Sequence, residues 1–371
     1  MESFSDLINF GDWFDWPGKK PRVIAGPCAA ESMTQVMETA KALSSVSYVA
    51  AFRAGIWKPR TRPGSFEGVG EKGLPWLREV KRETGLPVVV EIASPHHLQK
   101  ALEYDIDMVW LGARTTSNPF SVQQIAQALK GTDIPVLVKN PVHPDLELWV
   151  GALERLYQSG IRKLAAVHRG FYTSESSTYR NLPHWEIPGQ LKQRFQQLPV
   201  LVDPSHIAGD TQYIEELSHK ALELEADGLM IEAHTNPSKA WSDARQQLTP
   251  RELDQMLRQL VEKSPDTDGN HHGKKMANLR EQIDHIDRRV LLILSQRMQL
   301  AREIGEIKKQ NQDAVLQTDR WKKVLKSRMD LGKKMGLGVR FIHRLMELIH
   351  DESIRQQTGT GHQDPQQKKG D

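Results

Sequence analysis

The sequence predicts an α/β chain: a closed (β/α)8 barrel followed by a smaller all-α unit of three helices. Three observations predict it. Eight short apolar runs alternate with helix-like stretches through the first 262 residues. The composition then breaks at 263–275, KSPDTDGNHHGKK, which holds no apolar residue. From Met276 onward the apolar residues recur every three or four positions, the spacing of a helix face. The expected organisation is a barrel domain over 1–262, a linker over 263–275, a helical domain over 276–357 and a disordered tail over 358–371.

Length and composition narrow the class. At 371 residues the chain has room for two domains. With 38% hydrophobic and 26% charged residues it is neither collagen nor low-complexity, and its single cysteine cannot form an internal disulfide. Lys and Arg total 50 against 47 Asp and Glu, a net charge of +3, too balanced for a nucleic-acid partner read from charge alone. No stretch approaches the ~20 apolar residues of a membrane span. Met1 to Trp16 are acidic and aromatic, without the basic start and apolar run of a signal peptide. The expectation is a cytoplasmic protein that handles small molecules.

The runs are Val23–Cys28, Tyr48–Gly55, Pro87–Ala93, Met108–Ala113, Pro135–Asn140, Lys163–Gly170, Pro199–His206 and Gly228–His234. They are nearly continuous in Val, Ile and Leu, as strands buried on both faces of a parallel sheet are. Ser94-Pro95 and Thr249-Pro250 read as helix starts, a capping hydroxyl followed by proline in the first turn. An open doubly wound sheet is the alternative architecture, but no GxGxxG follows the first run, which argues against a dinucleotide site. His271-His272 falls in the apolar-free stretch and reads as a solvated pair. In the helical region Leu279, Ile283, Ile286, Val290, Ile293, Arg297, Ala301, Ile304 and Lys308 define one long helix. A second is expected around Leu316–Lys334, and a third from Val339 to Gln357 along Ile342, Met346, Ile349 and Ser353. Three helices, one of them very long, suggest a bundle that completes its core by forming a homodimer.

A barrel of this kind builds its active site at the C-terminal ends of the strands. Here the run ends carry Cys28, Arg53, Glu91, Arg114, Lys139, His168-Arg169, Asp203 with His206, and Glu232 with His234. Strand ends that merely meet water would give a mixed polar set; this set is dominated by cations and metal-type donors. Arg53, Lys58, Arg60, Arg114, Lys139 and Arg169, aimed into one pocket, would repel one another unless anions were bound. Substrates carrying several phosphates or carboxylates are therefore expected. Cys28, His206, Glu232 and Asp243 offer a thiolate, an imidazole and two carboxylates, a set suited to Mn, Fe, Co or Zn as a catalytic ion. Taken singly, a lone cysteine is more often inert core.

The segments GPCAAES (Gly26–Ser32), FRAGIWKPRTRPGSFEG (Phe52–Gly68), GAR (Gly112–Arg114), VKN (Val138–Asn140), HRGF (His168–Phe171), DPSH (Asp203–His206) and IEAHTNPSKAWSD (Ile231–Asp243) together resemble 3-deoxy-D-arabino-heptulosonate 7-phosphate (DAHP) synthase, in its short type I-beta form. The resemblance spans roughly 20–262. The octulosonate-phosphate synthases share the barrel, but KPRT at Lys58–Thr61 resembles the heptulosonate branch. The resemblance implies a divalent metal, manganese first, on Cys28, His206, Glu232 and Asp243. It implies phosphoenolpyruvate on Arg53, Lys58, Arg114, Lys139 and Arg169, and erythrose 4-phosphate on Arg60 and Thr61 with Asp203 nearby. Lys58 would donate a proton to the new hydroxyl. Glu91 is either a contributor to water activation or a structural strand end.

On the long helix, Arg297 and Lys308 are eleven residues apart, close to three turns, and both stand where the stripe calls for an apolar residue. Buried unpaired cations are costly, so an anion should meet them. A coiled-coil dimerisation domain with interhelical ion pairs is the plainer reading. The stretch Met276–Lys309 resembles the all-helical chorismate mutases. That implies chorismate held by Arg280 of the partner chain, Arg297, Lys308, Arg320 and Gln357, with Lys308 and Gln357 at the ether oxygen and prephenate as product. Gln317 and Trp321 depart from the acidic residues the family often has there. The sequence thus supports a bifunctional enzyme with feedback by prephenate or chorismate, and, as the alternative, a monofunctional synthase whose helical domain dimerises and senses the end product.

Overall fold

The computed structural model describes residues 4–58, 64, 66–174, 177–263, 270–311 and 318–358, and the side chains of all these except 262–263, 270–282, 285 and 318–319. Eight parallel strands close a barrel in sequence order: β1 (Val23–Gly26), β2 (Val49–Arg53), β3 (Val88–Ile92), β4 (Met108–Leu111), β5 (Val136–Lys139), β6 (Leu164–His168), β7 (Val200–Val202) and β8 (Gly228–Glu232), with β8 paired back onto β1. Each predicted run contains one strand. The strands stop short of the run ends because the last residues of each run turn away into the loop that carries polar side chains. The sheet is closed, so the doubly wound alternative is excluded.

Alternate residues of each strand face opposite sides, and the two sides have different partners. Val23, Ala25, Val88, Val90, Val109, Leu111, Val136 and Val138 join the layer between barrel and helices. Ile24, Ala51, Val89, Met108, Trp110, Leu137, Ala165, Val167, Leu201 and Met230 fill the interior. The N-terminal segment closes the bottom of that interior. Phe10 and Trp13 belong to the inner cluster, and Phe10 lies against Gly228 at the start of β8, where a Cβ would stand 3.5 Å from its ring. Trp13 Nε1 donates to the Ile8 carbonyl at 3.0 Å, and Trp16 Nε1 to that of Phe10 at 2.9 Å, which ties the segment into a compact plug.

The surrounding helices begin where the sequence signals them. Ser94 caps Pro95–Glu103 by accepting from His97 N at 3.2 Å. Thr249 and Glu252 cap Pro250–Lys263 reciprocally, hydroxyl to Glu252 N at 3.2 Å and carboxylate to Thr249 N at 2.8 Å. The expected linker needs correction. Lys263 is the last residue of that helix and a new helix opens at Asn270, so 270–275, with His271-His272, are helical, while 264–269 lie outside the described residues. The chain divides into two compact units, Met1–Pro265 and Asp266–Asp371.

The second unit has helices Asn270–Asn311, Thr318–Lys334 and Val339–Thr358. The predicted start of the second helix at Leu316 and the predicted tail beyond Thr358 lie outside the described residues. The first and third helices cross closely at Gly305, where a Cβ would lie 2.7 Å from Gln357 Cα. Only Ala301, Ile342 and Ser353 are buried among the described side chains of this unit. Ile283, Ile286, Val290, Leu291, Leu292, Ile293, Leu300, Ile304 and Ile307 of the first helix are exposed. No described helix is long and apolar enough to cross a membrane.

The plug makes a prediction. Trp13→Ala should lower the unfolding free energy of the barrel unit by about 3–5 kcal/mol, the usual cost of emptying a buried aromatic site. Denaturant unfolding followed by barrel tryptophan fluorescence checks it; an unchanged midpoint would mean the segment only rests on the barrel.

Candidate active site

The site is the interior pattern carried one step further up each strand. Two residues beyond the inward Ala51, Val89, Leu137, Val167, Leu201 and Met230 stand Arg53, Glu91, Lys139, Arg169, Asp203 and Glu232. The same period that fills the barrel with apolar groups therefore aims six ionisable groups at its C-terminal mouth. Beyond Trp110 the equivalent position is Gly112, where any Cβ would collide with the Glu91 carboxyl. His168 is on the other phase: it is fully buried behind the barrel beside Trp149, Phe171 and Trp185, and burial pushes its pKa down to about 3. It stays neutral and outside the pocket.

Buried charges must be paired, and this layer pairs them internally. Arg53, only 2% exposed, donates from one terminal nitrogen to Glu232 Oε1 at 2.9 Å and places the other 3.7 Å from Asp203 Oδ2. Lys139 Nζ donates to the same Asp203 oxygen at 2.7 Å. Both cations lie over the Trp110 ring, at 5.0 and 5.7 Å. Burial works against the Asp203 carboxylate, but His206, Lys139 and Arg53 outweigh it and hold the group well below the usual carboxylate range. Burial also lowers Lys139. The sequence pointed to bare cations awaiting anions; two of them are instead met by the fold's own carboxylates. Even so, Arg53 Nε and its terminal nitrogen facing Asp203 make no hydrogen bond among the described residues, which leaves buried donors facing the mouth.

Cys28, two residues past β1, faces Asp243. Its Sγ is 3.1 Å from Asp243 Oδ2, 2.8 Å from Lys58 Nζ and 3.3 Å from Ser242 Oγ. Burial and the nearby Glu232 push the thiol up to about 12 despite Lys58, so without a further cation it is protonated. Gln247 fixes the segment, accepting from Cys28 N at 2.9 Å and donating to the Ser242 carbonyl at 2.9 Å. His206 lies between two carboxylates, Nδ1 2.8 Å from Asp203 Oδ2 and Nε2 3.7 Å from Glu232 Oε1. Burial lowers its pKa and favours the neutral ring. Nδ1, although 2.8 Å from Asp203, makes no hydrogen bond among the described residues.

The donor set itself is the test of whether a metal fits. No three His, Cys, Asp or Glu side chains among the described residues are gathered closely enough to hold an ion as they stand. The four expected donors stand instead as two pairs, Cys28 with Asp243 and His206 with Glu232. The protonated Cys28 thiol donates to Asp243 Oδ2 at 3.1 Å, and His206 Nε2 stands 3.7 Å from Glu232 Oε1. A carboxylate behind an imidazole is the usual support of a metal-bound histidine. The four donor types are ones a divalent cation takes once the thiol gives up its proton.

Arg169 is half-buried on the same rim, donating to Asn181 Oδ1 at 2.8 Å, and burial together with Arg180 and Arg114 lowers its pKa to about 10. Arg114 is exposed in the short helix Ala113–Thr116. Arg60 and Thr61 lie outside the described residues. Burial raises Glu91, with Lys139, Lys58 and Arg53 opposing. His234 is buried beside Glu31, 3.7 Å away. Sequence reasoning missed Arg180 and Gln246, which hold the two carboxylates expected at the metal: Arg180 donates to Asp243 Oδ1 at 2.8 Å, and Gln246 to Glu232 Oε2 at 2.7 Å. Neither ends a strand, and no motif singled them out.

In the helical unit Arg297 and Lys308 turn to the third helix. Arg297 bonds the Ser353 hydroxyl and the Ile349 carbonyl, and Lys308 Nζ donates to Gln357 Oε1 at 3.3 Å. Burial and the nearby Arg328 both lower the Arg297 pKa. Arg297, Lys308 and Gln357 thus all lie along the contact between the first and third helices. Arg320 is exposed near the start of the second helix, and the side chain of Arg280 lies outside the described ones. Trp321 stacks on His350 at 3.9 Å.

The profile of the DAHP synthetase I family matches residues 14–268, and that of chorismate mutase type II matches 279–358. A phospho-2-dehydro-3-deoxyheptonate aldolase of Thermotoga maritima is 37% identical over 243 residues, 65% of this chain and 70% of that protein. A 2-dehydro-3-deoxyphosphooctonate aldolase of Nitratidesulfovibrio vulgaris is 27% identical over 263 residues, 64% of this chain and 90% of its own. Among solved structures, a DAHP synthase from Thermotoga maritima superposes with a TM-score of 0.60 at 32% identity, covering 69% of this chain and 72% of that one. The match of both profiles, together with a barrel whose mouth carries the expected charges, shows that the chain belongs to the DAHP synthetase I family and joins to it a chorismate mutase type II domain, making it a bifunctional enzyme.

Proposed function

We propose that the barrel condenses phosphoenolpyruvate with erythrose 4-phosphate and water to DAHP and phosphate, using a divalent metal on Cys28, His206, Glu232 and Asp243. The observation that carries this reading is the pairing of a thiol and an imidazole with two carboxylates at the barrel mouth, beside a buried Arg53 that has donors to spare. When bound, the ion would act as a Lewis acid toward the aldehyde oxygen; Mn²⁺ is the ion we propose, with Fe, Co and Zn compatible with the same donors. Arg53, Lys58, Arg114, Lys139 and Arg169 hold the phosphate and carboxylate of phosphoenolpyruvate, and Arg60 and Thr61 the phosphate of the aldehyde substrate, near Asp203. The enol carbon of phosphoenolpyruvate bonds to the aldehyde carbon, and water adds at C2 of the former phosphoenolpyruvate as its own phosphate leaves. Lys58 Nζ, 2.8 Å from Cys28 Sγ, stands beside that donor pair and supplies the proton to the new hydroxyl. Glu91, raised by burial, assists the addition of water. In the cell such chemistry belongs to the cytoplasm.

The assay is loss of phosphoenolpyruvate absorbance with erythrose 4-phosphate, with and without chelator and added Mn²⁺. We expect loss that requires both aldehyde and metal. Loss that survives thorough chelation would remove the metal, and loss with arabinose 5-phosphate alone would move the barrel to the octulosonate branch.

For the helical unit we propose catalysis within a homodimer, with Arg280 entering from the partner chain, and feedback of prephenate or chorismate on the barrel. Arg297 and Arg320 hold the carboxylates of chorismate, and Lys308 with Gln357 faces the ether oxygen as the bond breaks. The row of exposed apolar residues on the first helix supports a second copy as the covering surface. One observation favours the sensor reading instead: Trp321 stacks on His350 where an acidic residue would meet the substrate hydroxyl. Lys308→Ala should lower chorismate rearrangement by at least 10²-fold, keep the dimer mass in sedimentation and leave the uninhibited synthase rate intact. An unsubstituted chain that binds prephenate, slows its synthase and rearranges no chorismate would establish the sensor instead.

A further inference from the structure

Outside the residues assigned to substrates and metal, one small network touches almost all of the metal set. Gln246 is buried, and both ends of its amide are used: Nε2 donates to Glu232 Oε2 at 2.7 Å, and Oε1 accepts from Arg180 at 2.8 Å. The same Arg180 nitrogen donates to Asp243 Oδ1 at 2.8 Å. Each carboxylate is thereby gripped on one oxygen; of the other two, Glu232 Oε1 accepts from Arg53 at 2.9 Å and faces His206 at 3.7 Å, and Asp243 Oδ2 faces Cys28. Asp243 itself stands at φ 49°, in the left-handed region, at the entrance to the short turn Ala244–Gln246, so its orientation depends on support from outside its own backbone.

Arg180 does not come from a neighbouring strand. It belongs to the loop between β6 and the helix Glu186–Arg194, and that loop is laced to the short helix Pro204–Ala208 that carries His206. Arg180 N donates to the Ala208 carbonyl at 3.0 Å and Asn181 N to that of Ile207 at 3.1 Å. Asn181 Nδ2 donates to the His206 carbonyl at 2.7 Å. Gly209, at φ 72°, makes room: a Cβ there would meet Arg180 Cβ at 2.5 Å. The guanidinium is still half exposed, so it is held by its two acceptors rather than by packing.

We propose that Arg180 and Gln246 are positioning residues for the divalent ion, fixing Glu232 and Asp243 as a pair and tying both to the segment that carries His206. The inference rests on the metal reading above. Support behind metal-binding carboxylates and imidazoles typically changes metal affinity by roughly 10- to 100-fold. The pair is a device of loop and turn, separate from the strand-borne residues that meet substrate.

The test is titration of Mn²⁺ alone into the full chain, read by the electron paramagnetic resonance of free Mn²⁺, alongside the melting temperature of the metal-free chain. Arg180→Met and Gln246→Met should each weaken Mn²⁺ binding by roughly 10- to 100-fold while the metal-free melting temperature stays put. Arg180→Lys, an ammonium that reaches the same oxygens, should restore most of the affinity. Unchanged affinity in both methionine variants overturns the inference and leaves the metal reading standing. A fall in affinity matched by a fall in metal-free melting temperature also overturns it, since the role is then structural. No Mn²⁺ binding by the unsubstituted chain would overturn the metal reading itself, and the inference with it.

Discussion

A fully buried guanidinium between two carboxylates is the constraint on which the barrel depends. Arg53 is nearly inaccessible, and its charge is acceptable there only because Glu232 and Asp203 flank it. Lys139 shares the Asp203 oxygen, and Trp110 offers its ring face to both cations. Remove one member and another is left charged without a partner in a low-dielectric interior. These groups come from β2, β4, β5, β7 and β8 or the residue just past them, so the network also sets the relative height of the strands at the mouth. The same network keeps the mouth polar, with its charges paired, in the absence of substrate. An incoming anion then competes with internal carboxylates rather than relieving bare repulsion.

That constraint explains the division of labour along each strand. Below the charged layer the inward positions are Ile24, Ala51, Val89, Leu137 and Met230, with Phe10 and Trp13 closing the bottom. Stability is built there, away from the chemistry. Above it, short loops and single turns carry Cys28, His206 and Asp243, whose geometry is set by hydrogen bonds rather than by sheet pairing. The helical unit reverses the arrangement: its cations stand on one long helix and meet polar groups of another, while its apolar residues lie largely uncovered.

Much of this was legible in the sequence for a definite reason. Strands buried on both faces announce themselves as continuous apolar runs, and period two then places Arg53, Glu91, Lys139 and Glu232 in the pocket without further information. His168 and Arg169 were indistinguishable as neighbours at a run end, and only the observed phase separates the outward histidine from the inward arginine. Gln246 and Arg180 were illegible because their role comes from tertiary approach between two loops. The helix opening at Asn270 was not legible because a polar stretch with glycines matches a linker and a helix equally well. The internal neutralisation of Arg53 and Lys139 was missed because Asp203 and Glu232 were counted with other groups.

The central claim is that the mouth of the barrel holds its charges only as a set. A double-mutant cycle on Arg53→Met and Glu232→Gln, measured by denaturant unfolding of the metal-free chain, tests it most directly. The account predicts that Arg53→Met alone costs about 3–5 kcal/mol, and that the double variant is less destabilised than the sum of the singles by more than about 1 kcal/mol. Singles that add to within about 0.5 kcal/mol would show that the two groups do not depend on each other, and would contradict the account.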